Sequence, residues 1–331
     1  MATTEKDFRV KRGLAVGQDA TIGGSVTATS FIGDGSQLTG ISGGSGIQSV
    51  ATRPENPANG TIIWNTTTVT LEVWTGDRWA ALASQSYTIQ YIAVAGGAGG
   101  GSGSSYGGGG GGAGGYLSGS MTVTPGATYT ITVGGGGVAG NYNATVIPTN
   151  GSNSTIGLSV TSIGGGRGAQ ESLAAGSGGS GGGGTFPGAN NGGAGTAGQG
   201  YAGGTTGDAG GGGGGGSASA GAAGGGNFTS AAGGSGTSSD ISGASIVYAA
   251  GGAGGQNSYA PAIVGTSGAS NTGNGGGGGG QAAGGKANGG SGGSGIVIIK
   301  YSGAQLGSGG TVASSGGFTR HTFTSSGTFT A

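Results

Sequence analysis

The apolar residues of this chain occur in short runs that alternate with polar residues, and long glycine-rich stretches separate these runs. The clearest runs are YTIQYIAVA at 87–95, TYTITV at 128–133 and GIVIIKY at 295–301. Alternation with a period of two residues predicts β-strands, whereas no stretch has the 3.6-residue apolar period of an amphipathic helix. The pattern therefore predicts an all-β protein with almost no α-helix.

Two regions precede the glycine-rich part of the chain. Residues 1–46 hold short apolar pieces between glycine and Asp-Gly turn signals. None of these pieces can bury a core alone, so we expect an N-terminal β shaft whose core is shared between chains. Residues 47–85 contain the segments TIIWN, TLEVW and TGDRW, which predict a small β-meander.

Trp64, Trp74 and Trp79 are all the tryptophans of the chain, and they lie close together in this meander. Aromatic side chains bury about 150–250 Å² each. We therefore expect the three to form a small core. A platform for stacking sugars is the alternative interpretation.

Glycine accounts for 97 of the 331 residues. Collagen requires glycine at every third position and abundant proline, but the chain has 6 prolines and unbroken glycine runs at 107–112 and 275–280. A flexible Gly/Ser linker is the second alternative. The apolar strands embedded among the glycines argue against it.

Glycine loses more backbone entropy on folding than any other residue and has no side chain to bury. Order must then come from backbone hydrogen bonds that are shielded together. A polyproline II helix has three residues per turn, a rise of ~3.1 Å and no internal hydrogen bonds. Arrays of such helices can bond laterally, so residues 86–301 are predicted to form packed polyglycine II helices flanked by β-strands. Residues 302–331 are predicted to form a C-terminal β segment.

Charge and chemistry exclude several classes of function. Charged residues make up only 6 % of the chain and the formal net charge is zero, so a basic face for nucleic acid is not expected. Cysteine is absent, the N-terminus lacks the apolar core of a signal peptide, and no stretch approaches the ~20 apolar residues of a membrane span. His321 is the single histidine, and we expect it on the surface of a strand. No enzyme, cofactor or metal site is predicted.

Four polar loops interrupt the glycine runs, and their tyrosine, phenylalanine and asparagine residues suit contact with sugars or proteins. The alternative is that they are simple turns. The loops span 140–154, 185–191, 226–240 and 256–271. The candidate receptor-binding residues are Tyr142, Phe186, Asn190, Phe228, Tyr259 and Pro261.

Three segments resemble phage tail-fibre proteins. GLAVGQDATIGGSVTATSFIGDGSQLTGI is similar to repeats in fibres of cyanobacterial and T-even-like phages, and GTIIWNTTTVTLEVWTGDRW resembles a short aromatic module of virion proteins. PGATYTITVGGGG and GGSGIVIIKY resemble the glycine-rich domain of phage fibres and adhesins. In those adhesins, loops at the far end of a polyglycine II sandwich contact receptors on the bacterial surface.

The resemblance implies a virion structural protein, made in the host cytoplasm, that recognises a host cell through loops of the glycine-rich domain. We expect a homotrimer, assembled through residues 1–46 and 302–331, because these strands are too short to bury their own core. The expected partners are other tail or baseplate proteins and a bacterial surface protein or polysaccharide. Nucleic acid and membrane insertion are not expected. The alternatives are a purely architectural tail protein and, much less favoured, a fibre depolymerase.

Overall fold

The computed structural model describes residues 47–67, 70–82, 86–103, 105–143, 145–187, 191–206, 209–225, 229–258, 261–282 and 285–331. The predicted N-terminal β shaft, residues 1–46, lies outside the described residues. The chain divides into unit 1, Met1–Leu82, and unit 2, Ala83–Ala331. The described residues contain strands and no helix, which confirms the predicted all-β class.

The described residues of unit 1 form a four-stranded sheet with the order β1-β2-β3-β4. Its strands are Gln48–Val50 (β1), Ile62–Asn65 (β2), Thr70–Trp74 (β3) and Trp79–Ala81 (β4). Strands β2, β3 and β4 form the antiparallel meander that the sequence predicts. Strand β1 adds a parallel edge beside β2, which the sequence did not indicate.

The tryptophans do not form one cluster. Trp74 and Trp79 are directly paired across β3 and β4, with their ring centroids 5.6 Å apart. Trp64 lies on the other face of the sheet and is 38 % exposed, because Ile63 and Asn65 take the buried positions of β2. The expectation of a core of three tryptophans is therefore wrong for Trp64.

A buried carboxylate replaces part of that core. Glu72 is 2 % exposed, and both of its oxygens accept hydrogen bonds from the guanidinium of Arg53 at 2.8 Å. Asn65 and Thr70 also donate to this carboxylate at 3.2 Å. The hydrogen bonds from Arg53 to Glu72 raise the pKa of Arg53 above its usual value. Such two-point pairing fixes the geometry of both side chains.

The described residues of unit 2 form two larger sheets and two small ones. The larger sheets have the strand orders β16-β17-β15-β5-β6 and β18-β7-β8-β9, and the small ones are β10-β11 and β12-β13-β14. The strands are β5 (Tyr87–Val94), β6 (Tyr116–Val123), β7 (Thr128–Thr132), β8 (Ser154–Ile156), β9 (Val160–Ser162), β10 (Thr237–Ser239), β11 (Ile246–Tyr248), β12 (Asn257–Ser258), β13 (Gln281–Ala282), β14 (Gly285–Lys286), β15 (Ile296–Ser302), β16 (Thr311–Ser315), β17 (Phe318–Phe323) and β18 (Gly327–Thr330).

The apolar core lies between the two larger sheets. Ile89 and Ile299 of the first sheet pack with Ile131, Ile156 and Phe329 of the second. The halves of β5 and β15 that join the lattice are buried on both faces, because Ile92, Val94 and Ile298 form a second cluster on the opposite side. The C-terminal strands β17 and β18 pair with β15 and β7 of the same chain, so they complete these sheets without a second chain.

The glycine-rich segments of unit 2 between its strands, called here the glycine lattice, are joined by a regular set of backbone hydrogen bonds. Successive N–H groups of segment 107–115 donate to three different segments, and each segment recurs as a partner at every third residue. Its carbonyl groups accept from three further segments with the same repeat. Six neighbours therefore surround this segment: 95–101, 163–169, 180–183, 209–215, 252–255 and 273–279.

Close approach of the segments explains why glycine fills these positions. A Cβ atom built at Gly109 would lie 2.0 Å from the carbonyl oxygen of Gly183, and one at Gly110 would lie 2.1 Å from that of Gly252. No carbon atom fits at such a distance from a carbonyl oxygen. The backbone of the neighbouring segment excludes a side chain at these positions, and hydrogen bonds between main-chain groups join the segments.

The chain runs up and down through this lattice. Segment 95–103 leads away from β5, and segment 107–115 returns antiparallel to it and enters β6. Segment 134–140 likewise leads away from β7, and segment 287–295 returns to β15. The larger sheets thus lie at one end of the lattice, and we call the opposite end, where these segments reverse, the turn end.

Candidate functional site

The turn end gathers loops that are far apart in the sequence. The N–H of Gly103 donates to the carbonyl of Ala287 at 3.0 Å, and the N–H of Ala287 donates to Gly280. The hydroxyl of Thr185 donates to the carbonyl of Gly107 at 2.7 Å. Hydrogen bonds of this kind fix the loops on an ordered scaffold, which is the arrangement that favours a binding face.

Tyr142 lies in the first of these loops and is 43 % exposed. Its N–H donates to Oδ1 of Asn288 at 3.1 Å, which joins the loop to the returning segment. Asn141 organises the turn, because its backbone N–H and its side-chain oxygen both bond to Val146 at 3.0 Å. The tyrosine ring is therefore presented by a turn with a defined shape.

Phe186 is half-buried at the turn end. Its ring meets the ring of Tyr106 edge to face, with centroids 4.8 Å apart. Edge-to-face pairs of this kind contribute about 0.5–1.5 kcal/mol beyond their buried area. Phe186 thus joins two loops and leaves only part of its surface for a ligand.

Pro261 is exposed and precedes the exposed side chains of Ile263 and Val264. The carbonyl of Ile263 accepts from the N–H of Gly280, which holds this loop against the lattice. The other three candidates lie outside the described residues. They are Asn190, Phe228 and Tyr259.

Sequence reasoning missed the aliphatic members of this face. Val138, Val146 and Ile147 surround the Tyr142 turn with exposed fractions of 52, 41 and 55 %. Ile263 and Val264 are exposed by 57 and 62 %. The available signal was the presence of branched apolar residues inside loops that are otherwise polar or small. Together with Tyr142 they give the turn end an amphipathic surface.

His321 is not on the surface, so that expectation is wrong. It is completely buried in β17, where Nε2 lies 2.8 Å from the hydroxyl of Tyr301 and Nδ1 lies 2.7 Å from the carbonyl of Gly309. Burial lowers the pKa of His321, although the hydrogen bond to Gly309 opposes that shift. The alternation of FTRHTF is that of a strand with one buried face, and His321 falls on the buried side with Phe323.

The described ranges hold no candidate metal site and no candidate membrane helix. They contain no group of three or more histidine or carboxylate side chains placed to hold a metal ion. No helix long and apolar enough to cross a membrane occurs among the residues described.

Comparison with known families matches residues 66–302 to the model for the glycine-rich domain. The chain belongs to the glycine-rich domain family. The match begins in the turn between β2 and β3 of unit 1 and ends with β15, so it covers the glycine lattice of this glycine-rich domain protein and strands β3 to β15. No curated protein and no solved structure matches the chain.

Proposed function

We propose that this glycine-rich domain protein is a component of a phage tail fibre that recognises a bacterial surface through the turn end of its lattice. The observation that carries the proposal is the gathering of exposed Tyr142, Ile147 and Ile263 on loops held by backbone hydrogen bonds. A hydrogen-bonded scaffold of glycine segments with few charged residues presents these loops at the end opposite the sheets. The sequence resemblance to fibres and adhesins supports the virion assignment and the choice of partner.

The chemistry of the turn end suits a surface polysaccharide or the exposed loops of an outer-membrane protein. Tyrosine offers a flat apolar ring with a polar tip, and asparagine offers adaptable hydrogen bonds. The described part of this face carries few charges, Glu171 and Lys286 among them. Affinity would therefore come from stacking and hydrogen bonding and would depend only weakly on ionic strength.

Binding of the labelled protein to a panel of bacterial strains tests the proposal. The double variant Tyr142→Ala, Ile147→Ser removes two exposed side chains from the turn end, and we expect at least a tenfold loss of binding. Leu158→Ser is the matched control, because Leu158 is fully exposed in the β8–β9 turn at the opposite end. Equal binding by both variants, or no binding of the native protein to any strain, would favour the purely architectural role.

We also propose that the lattice segments are polyglycine II helices. Partners that recur at every third residue are what a helix with three residues per turn requires. Amide hydrogen exchange tests this order directly. Gly110 and Gly111 should exchange orders of magnitude more slowly than Asn143, which lies in the exposed turn after segment 134–140. Uniformly rapid exchange would contradict a packed lattice.

The homotrimer stays a proposal, and it rests on residues 1–46, whose apolar pieces are too short to bury a core alone. Analytical ultracentrifugation of the full chain and of a variant lacking residues 1–46 tests it. We expect a trimer for the first and a monomer for the second, because the strands of residues 302–331 are paired within their own chain. A monomeric full chain would contradict the proposal.

A further inference from the structure

A groove runs along segment 273–280 on the surface of the glycine lattice. Its walls are segments 250–256 and 263–269, and its volume is about 420 Å³. The floor is almost entirely glycine backbone, and none of the residues that line the groove is charged. The exposed side chains of Ile263 and Val264 stand at one wall.

The groove lies where the lattice lacks a segment. Segment 107–115 has six hydrogen-bonded neighbours, whereas segment 273–280 has five among the described residues. The two neighbours that border the groove are the wall segments 250–256 and 263–269, and within the described residues no backbone hydrogen bond joins them. The groove therefore has the position of a sixth neighbour. The five present are 95–101, 107–114, 250–256, 263–266 and 287–294.

Backbone groups in the groove are arranged to bond to such a neighbour. The carbonyls of residues 273, 276 and 279 accept hydrogen bonds from segment 107–114, and those of 274, 277 and 280 accept from segment 287–293. The remaining carbonyls of the repeat, those of Gly275 and Gly278, accept from no protein group within the described residues. By the same three-residue repeat these two carbonyls face the groove. The N–H groups of Ala253 and Thr266, one on each wall, likewise have no partner in the part of the chain that is described.

We propose that this groove binds an extended glycine-rich segment of another polypeptide, in the polyglycine II conformation, as an added member of the lattice. The occupant would donate to Gly275 and Gly278 and accept from Ala253 and Thr266. At a rise of ~3.1 Å per residue, about seven residues span the floor. The occupant is uncharged, because the groove offers no charge to pair with.

A second copy of this chain is a poorer occupant than a different polypeptide. The long glycine runs of the described unit 2, such as 107–112 and 210–216, are already bonded within their own lattice. A second copy could supply one of them only by unfolding part of that lattice. A polypeptide with a free glycine-rich tail has no such cost.

The probe is a fluorescent, end-blocked peptide of about eight glycines and serines, long enough to cover the floor, added to the full-length protein. We expect saturable binding by anisotropy, and slower hydrogen exchange at the amide of Ala253 when the peptide is bound. A matched peptide in which sarcosine replaces glycine lacks the N–H donors and should bind at least tenfold more weakly.

Variants that fill the groove test its location. Ala253→Trp and Thr266→Trp alter exposed groove residues, and each should lower the affinity at least tenfold, so either suffices if the other fails to fold. Ala223→Trp is the control, because Ala223 is an exposed alanine that does not line the groove. The proposal would be overturned if the native protein did not bind the glycine peptide, or if it bound the glycine and sarcosine peptides equally. Equal affinity of the native protein and all the tryptophan variants for the glycine peptide would also overturn it. Protection of Ala253 by raising the concentration of the protein alone would instead identify a second copy as occupant and overturn the choice of partner.

Discussion

The hydroxyl of Tyr301 lies 2.8 Å from Nε2 of His321 inside the core of unit 2. Because Nδ1 of His321 lies 2.7 Å from the carbonyl of Gly309, which can only accept, Nδ1 carries the proton and Nε2 accepts from Tyr301. The same hydroxyl accepts from the N–H groups of Leu306 and Gly307, each at 3.0 Å. One phenol thus joins β15, β17 and the connection between β15 and β16.

Tyr301→Phe should destabilise unit 2 by about 1–3 kcal/mol, because it leaves the buried N–H of Gly307 and Nε2 of His321 without this partner. The free energy of unfolding from denaturant titration, followed by near-ultraviolet circular dichroism, measures the loss.

Tyr87→Phe is the control for that substitution, because the rings of Tyr87 and Tyr301 lie edge to face at 5.2 Å. The hydroxyl of Tyr87 is buried and has no hydrogen-bond partner in the described part of the chain, and its burial raises the pKa of Tyr87 to about 12. Its removal should be neutral or stabilising. Equal losses in both variants would contradict the network.

Stability should fall as the pH is lowered through 6.5. The pKa of His321 is below its ordinary value in the folded protein, so in this range the unfolded chain binds a proton that the folded chain does not. The contribution of neutral His321 is therefore complete above the unfolded pKa and is lost below it. Since His321 is the single histidine, His321→Gln should abolish the difference in unfolding midpoint between pH 7.5 and pH 5.5, and an unchanged difference would refute the assignment.

Gly109→Ala should destabilise the glycine lattice by about 1–3 kcal/mol or more, because the added carbon overlaps the carbonyl of Gly183. The backbone cannot move to relieve this overlap without breaking hydrogen bonds to neighbouring segments. Gly135→Ala is the matched control, since a Cβ atom there meets nothing within 4 Å. It should change stability by no more than about 0.5 kcal/mol. Thermal unfolding of both variants distinguishes steric exclusion from a general effect of losing glycine.

Arg53→Met should lower the unfolding midpoint of unit 1, because the buried carboxylate of Glu72 loses the guanidinium that binds it at two points. Tryptophan fluorescence reports this unit alone, since the three tryptophans all lie within it. Arg78→Met, at an exposed turn position, should have little effect. Adding Glu72→Gln to Arg53→Met should recover part of the loss, and a strictly additive result would argue against the pair.

The strands and the interruptions of the glycine runs could be predicted from the sequence, because alternation and turn residues are local signals. The partners of the lattice could not. Gly111 bonds to Gly276, and glycine has no side chain whose polarity marks the neighbour it faces. The positions of Trp64 and His321 were missed for a related reason: alternation shows that a strand has two faces, but the packing of other strands decides which face is buried.

The candidate binding face could be predicted only in part. The polar segments that interrupt the glycine runs indicated the loops of Tyr142 and Pro261, and the aromatic residues in these loops suggested contact with a ligand. The half-burial of Phe186 against Tyr106 depends on two loops that meet only in the folded chain. The groove along segment 273–280 has no sequence signal, because it is defined by a neighbour that the lattice lacks.

The three-residue repeat of segment 107–115 sets a rule for how such a protein can change in length. A single inserted glycine would rotate every later N–H and C=O group by a third of a turn and aim it at the wrong neighbour. Three inserted residues would restore the aim and extend the segment by ~9 Å. Insertions and deletions within lattice segments should therefore survive mainly in multiples of three, whereas the loops at the turn end are free to vary by any number.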